Sequence, residues 1–415
     1  MSVTATSAPA ALAANDVAID RFHAAQPHLV DIVPALDAIP GMSRDLVLTS
    51  GPTMPWAAYT GGQRRAVLGS VVHERLARDL DEADRLLSAG HVTVAGCQDY
   101  GCVGSLAGVT SASMPVVVVE DIANGRRAFC TLFEGETRSR LNYGVWDNAV
   151  EANLTFLEKV IGPALGRAVR DRGPIPLLPI MQRALRQGDE LHSRNTSASL
   201  LLLREIVAVI ASAGEDVTDL VTYLTAGDYF FLRPAMAAAK VMTARMTDVP
   251  GSSLVTSMAM SCNQFGIQVS GLGTRWFTGP LPEFEHHKLS DGYTIADAQF
   301  MGGESIITEV CGLGAFAQTA AFSLQDYQGG VDNMIRFNLQ MYDITHAENR
   351  LFTLPFLNFR GTPTGIDVHA VAATGITPVM DIGIAGAHGG QIGAGLARAP
   401  QQPFIDASSE LLRLR

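Results

Sequence analysis

No block of lysine and arginine stands anywhere in this sequence. Thirty basic residues against 41 acidic ones leave a net charge of −11, and nucleic-acid phosphates are neutralised only by clustered cations. That excludes nucleic acid and leaves small molecules and other proteins as partners. Cysteine is scarce too. Cys97, Cys102, Cys130, Cys262 and Cys311 make an odd five with neither CxxC nor paired spacing, which points to buried thiols in a reducing cytoplasm. Long apolar runs are missing: Leu200 to Ala213 is broken by Arg204 and Glu205 and is too short to span a bilayer. Residues 1–15 lack the basic start and apolar centre of an export signal and read as a loose tail.

What the chain does have is apolar residues (47%) and glycine (40 of 415), the composition of a well-buried metabolic protein with length for two or three domains. The expected class is α/β. Strands at Asp45–Leu48, His91–Ala95, Pro115–Val119 and Ala128–Phe133 alternate with helices at Gln63–Arg78 and Leu80–Ala89. These make an N-terminal α/β domain over residues 16–145. Helical periodicity at Asp147–Ile161, Leu178–Arg186, Ser197–Ala213, Val217–Leu224 and Phe231–Thr247 predicts a central helical domain, 146–248. A glycine-rich C-terminal α/β domain, 249–405, follows.

The densest stretch runs from Gly361 to Gly395, with nine glycines and only Asp367 and Asp381 as charged side chains apart from two histidines. Such backbone either turns tightly between buried strands or lines a site for a small polar or anionic ligand. A second glycine-rich loop, Gly96–Val109, leaves a strand where α/β sheets bind ligands, and offers Asp99 and Ser105. Arg138 and Arg140 sit two apart, on one face of an extended segment, where paired guanidiniums suit carboxylate or phosphate. In Gly188–Thr196, Asn195 or Thr196 can cap the next helix, yet a cap requires neither His192 nor Arg194. Those two could hold an anion against a helix N-terminus. Glu304, Thr308 and Glu309 could bring carboxylates to a site. The run EFEHH, 283–287, has poor metal-ligand spacing and reads as exposed loop, so no metal or cofactor is expected.

Four blocks, AGVTSASMPVVVVED, GDELHSRNTSASLLLLREI, VPGSSLVTSMAMSCNQFGIQVSGLG and GTPTGIDVHAVAATGITPVMDIGIA with its GGQIGAG continuation, resemble the YlbE-like family, which is associated with oxamate carbamoyltransferase. The loop CQDYGCVG departs from the histidine-rich version frequent in that family. The resemblance implies a subunit that works with an FdrA-like subunit and a third, smaller one in allantoin breakdown. Phosphate would attack the carbamoyl group of an oxalurate-like acid, giving carbamoyl phosphate and oxamate. It implies Arg194 as anion holder, His192 as proton donor to the leaving nitrogen and Asn195 as orienting group. Backbone N–H groups of Gly390, Gly393 and Gly395 would be further donors, with Arg138 and Arg140 as second anion sites. A homo-oligomer is expected. A scaffolding subunit and a free-standing amidase or carbamoyl hydrolase stay open as alternatives.

Overall fold

The computed structural model describes residues 7–135, 139–212, 217–227 and 229–414; Arg138 lies outside them. The fold is mixed α/β, as expected, with its strands in several small sheets. The largest is four-stranded and antiparallel, in the order Arg126–Thr131, Pro115–Asp121, Pro27–Pro34, Ile175–Pro176. Val116 to Val119 are all buried, because the β-branched run is covered on both faces. One cover is the helix Leu232–Ala244, packed on the two strands at that edge. Every residue of this helix is buried, and its alanines and methionines let it lie close to the sheet.

The middle helices fall within a few residues of expectation: Leu177–Arg186, Thr196–Ser212 and Thr218–Thr225. The helix expected over Asp147–Ile161 is α-helical from Asn148 to Phe156 and continues as a π turn, Leu157–Ile161. At the N-terminus a helix spans Ser7–His23, so the stretch expected as a loose tail is helical from Ser7 onward. Asn15 is buried, and its amide oxygen accepts from the Ser253 N–H (2.9 Å) and the Ser252 hydroxyl (3.0 Å).

A three-stranded C-terminal sheet has Gln391–Arg398 at its centre, between Glu283–Leu289 and Val379–Ala385. The run EFEHH is thus an edge strand rather than a loop. Its outward side chains, Glu283, Glu285 and His287, alternate with the half-buried Phe284 and His286, a period-2 pattern that the charged letters disguise. The polar stretch Asp332–Asn349 is taken up by most of the helix Val331–Gln340 and the start of the strand Thr345–Leu354. One continuous core draws on all thirds of the chain, including Phe22, Val117, Phe231, Phe316 and Ile382. All five cysteines are free and buried. Among the described residues, no helix is long and apolar enough to cross a membrane.

Candidate active site

Where the four-stranded sheet meets the C-terminal sheet, a cavity opens that has a cationic wall and an acidic one. The cationic wall begins at Glu134, just past the strand Arg126–Thr131. Its carboxylate accepts from the backbone N–H of Leu141 (2.6 Å) and Asn142 (3.0 Å), which pins the returning chain and turns Arg140 inward. Arg140 donates through one Nη to the Gly135 carbonyl (3.1 Å) and through the other to Gln391 Oε1 (2.8 Å). Its guanidinium stacks 4.3 Å from the Tyr143 ring centre. Arg233 enters from the first turn of the Leu232–Ala244 helix. Asn142 links the parts: its amide nitrogen donates to Glu134 (3.0 Å), while its oxygen accepts from Arg233 Nη2 (3.2 Å) and Ser105 Oγ (3.0 Å). Burial pushes the Glu134 carboxyl above its ordinary range, and Arg233 pulls it partly back.

Both guanidiniums are buried, yet Arg140 Nε and Arg233 Nε have no hydrogen-bond partner among the described residues. A buried N–H without an acceptor costs roughly 1–3 kcal/mol, more when charged. Both arginines line the cavity, and two guanidiniums on one wall suit the oxygens of an anion.

The opposite wall is built from Asp189 to Asn195. Leu191 takes a positive φ of 69°, closing a tight turn in which the Glu190 carboxylate accepts from the backbone N–H of His192, Ser193 and Arg194. The turn aims His192 at Glu309, whose Oε1 lies 2.8 Å from His192 Nδ1. Glu309 is fully buried and accepts as well from Thr308 Oγ1 (2.9 Å), the Ala315 N–H (3.1 Å) and the Asp381 N–H (3.0 Å). With Nδ1 committed, Nε2 is the His192 nitrogen that can serve the cavity. Burial pulls the imidazole down, but the Glu309 carboxylate outweighs it and the net shift is upward, toward the imidazolium. Asp381 is buried beside Glu190, and Gln328 donates to its Oδ1. Burial raises Asp381 to about 6, with His192 opposing and the Glu309 carboxylate adding to it, while a hydrogen bond from Glu190 holds it down; burial and the Asp381 charge lift Glu190 well above its ordinary range. Such a pair holds one proton between its members near neutrality.

The inner cavity is narrow, about 60 Å³, room for roughly four water-sized groups. It continues past Arg140, Ser193, Tyr229 and Gln391 into an outer vestibule of about 440 Å³ that Lys288 and Tyr327 border. His192, Glu309 and Asp381 present ligand atoms within 4.8 Å of one another, so they could hold a cation. The hydrogen bonds that Glu309 already makes favour its use as the anchor of the imidazole.

Of the residues singled out in the sequence, His192, Arg140 and Ser105 line the inner cavity, and Gly393 and Gly395 line the vestibule. Gly390 stands behind the wall, its N–H donating to the Tyr143 carbonyl (2.9 Å). The Gly361–Gly395 stretch and the His192 segment meet in this cavity, the first through Asp381, Ile382, Gly383, Gln391 and Ala394. Of its two cations, Arg140 is among those expected and Arg233 is not. Arg194 pairs with Asp189 at 3.4 Å and does not line the cavity, because the turn needs its backbone and sends its side chain away. Asn195 is buried and donates to the His192 carbonyl (2.8 Å), bracing the turn. Glu304 clamps two loops by accepting from the N–H of Gly51 (3.0 Å) and Gly104 (2.8 Å). Asp367 caps a helix through the His369 N–H (2.8 Å). Asp99 faces a different cavity. Arg233, Asp381, Glu190, Glu134 and Asn142 were missed as site residues.

Two expected results follow. Arg194→Ala should leave the rate and its dependence on anion concentration within roughly twofold of wild type, and lower stability by about 1 kcal/mol, read by urea unfolding. The central-strand glycines are needed for space rather than as donors. A Cβ on Gly395 would collide with the His286 carbonyl of the neighbouring strand, and one on Gly393 with the Lys288 carbonyl. Gly395→Ala should cost about 1–3 kcal/mol in the same measurement.

A buried histidine–carboxylate cluster facing two guanidiniums is an arrangement whose chemistry suits a small anion. The comparisons narrow this. Over 97% of the chain the fold matches the crystal structure of a conserved protein of unknown function from Enterococcus faecalis V583, covering 98% of that chain at TM-score 0.94 and 35% identity. The chain is 36% identical to the uncharacterized protein YahG of Escherichia coli K12 over 95% of its length and 84% of that protein's. It is 34% identical to the oxamate carbamoyltransferase subunit AllG of the same organism, over 96% of this chain and 97% of AllG. Residues 92–305 match the family model described as oxamate carbamoyltransferase subunit AllG. The chain therefore belongs to the AllG family of oxamate carbamoyltransferase subunits.

Proposed function

We propose that this subunit carries the chemistry of a carbamoyl transfer between an oxalurate-like ureido acid and phosphate, and that it does so in the cavity of Arg140, Arg233 and His192. The observation that carries the reading is the pair of buried guanidiniums that line one cavity with a histidine held by Glu309. In the reaction a phosphate oxygen attacks the carbamoyl carbon, the C–N bond breaks, and the departing nitrogen needs a proton to leave as the amide of oxamate. Arg233 and Arg140 neutralise phosphate or carboxylate and the oxyanion of the tetrahedral intermediate. His192 Nε2–H delivers the proton, and Glu309 stabilises the imidazolium that supplies it. Asp381 Oδ2, which has no donor partner among the described residues, accepts from the carbamoyl NH₂.

The cavity's size fits this division. The narrow inner part takes the reacting carbamoyl group, and the vestibule beside Arg140 takes the remainder of the acid or the phosphate. Proximity of two held reactants then supplies much of the rate. No covalent intermediate is needed. The complex proposed is the one the sequence resemblance implies, with an FdrA-like subunit completing or capping the site. The test is carbamoyl phosphate formation from oxalurate and phosphate, measured with this chain alone and with its partners. The reading predicts product that depends on His192 and Arg233 of this chain. Full activity of a complex assembled with the His192→Gln subunit would return the chemistry to the partner and leave this chain as scaffold.

A further inference from the structure

A separate cavity of about 400 Å³ shares no lining residue with the inner site. Buried in its wall is Lys240, on the all-buried helix Leu232–Ala244. Its Nζ donates to Gln98 Oε1 and Ser257 Oγ, both at 3.1 Å. Both acceptors are neutral, and the third N–H is left over. The carboxylates in its neighbourhood are engaged elsewhere: Asp99 accepts from Thr53 (3.2 Å) and Trp276 (3.0 Å), and Glu304 from two backbone N–H groups. Arg126 stands in the same wall; among the described residues neither it nor Lys240 forms an ion pair. A buried ammonium without a counter-ion is costly, and like charges facing one cavity add to the cost.

We propose that this cavity is a second ligand site, taking a small anion of the carboxylate or phosphate class through Lys240 Nζ and the Arg126 guanidinium. The inference goes beyond the carbamoyl-transfer reading and does not depend on it. Burial pulls Lys240 down to about 8, with Arg126 lowering it further and Glu304 and Asp99 opposing. Arg127 and Asp248 complete the charged lining. An anion in contact restores the ammonium, so affinity falls as pH rises through about 8.

The test is calorimetric titration of the full chain with inorganic phosphate and, separately, with oxamate. A background carrying both Arg233→Met and Arg140→Met removes the two guanidiniums of the inner site, so what it still binds reports the second one. In that background at least one probe should bind, and Lys240→Met and Arg126→Gln should each weaken it by about tenfold or more. Phosphate binding alone assigns the phosphate class, and oxamate binding alone the carboxylate class. Lys240→Met removes a buried charge with little change of shape, and Arg126 is exposed, so both variants should fold. The proposal is overturned if neither probe binds in that background, or if both variants bind as their parent does.

Discussion

Arg233→Met is expected to lower carbamoyl phosphate formation by the assembled complex by roughly a hundred- to a thousandfold, about 2.7–4 kcal/mol of transition-state stabilisation. The guanidinium is held by the Asn142 oxygen at 3.2 Å and lies beside Thr131, with Nε turned to no protein acceptor. It is therefore oriented before substrate arrives. Arg233→Lys should recover only part of the loss, since an ammonium is a point charge without the parallel fork. The fold should survive, because burial already biases Glu134 toward its neutral form. Without Arg233 that bias grows. A carboxyl whose folded pKa lies above its unfolded value contributes stability at low pH that is lost as pH rises through the folded pKa. The thermal midpoint of Arg233→Met should therefore fall more steeply than that of wild type as pH rises above the ordinary glutamate value of 4.5, on the order of a few degrees for each kcal/mol. An Arg233→Met complex with the wild-type rate would remove Arg233 from the site.

Arg233 also shows why part of the site was hidden in the sequence. It sits in FLRPAMAAAKVM, a segment legible as a helix by its periodicity but not as one buried on every side. A charged residue in an all-apolar helix is a signal for function, and both Arg233 and Lys240 carried it. What could be read was local. His192 stood out because a helix cap requires no imidazole, and Arg140 because a guanidinium face suits anions. Arg194 carried the same chemistry as Arg140 but depends on a turn whose geometry follows from the positive φ of Leu191, which no letter announces. Asp381 lay inside the stretch first singled out, yet its environment comes from Glu190 and Gln328, 191 and 53 residues away in sequence. The glycines were read as ligand donors when Gly393 and Gly395 serve the close approach of a strand that begins at Glu283. The fold class followed from alternation of patterns. The pairing of Glu283–Leu289 with Gln391–Arg398 is long-range, and its edge strand lacks the β-branched residues that mark strands.

His192→Gln should cost about a hundred- to ten-thousandfold in kcat with the affinity for phosphate nearly unchanged, because glutamine retains a donor but supplies no proton. The pH profile gives a sharper discrimination. His192 is held above its ordinary value of 6.5 by Glu309 against the pull of burial, so activity should fall as pH rises past that raised value, when the imidazolium is lost. Asp381, at about 6, sets the other limb. Below that pH the Asp381–Glu190 pair takes up its second proton and the acceptor for the carbamoyl NH₂ disappears. The profile is a bell whose limbs belong to the cluster as a whole. Glu309→Gln removes what raises the histidine and leaves burial, so the upper limb should move to lower pH and the bell should collapse from its alkaline side. Asp381→Asn should erase the acid limb and leave the alkaline one. The folded state follows the same sign: His192 contributes stability that is present below about 6.5 and lost as pH rises through its folded value, and Glu309→Gln loses that contribution. If kcat/KM of Glu309→Gln kept the wild-type alkaline limb, the proton donor would be a group other than His192, and Glu309 would be no more than a buried brace.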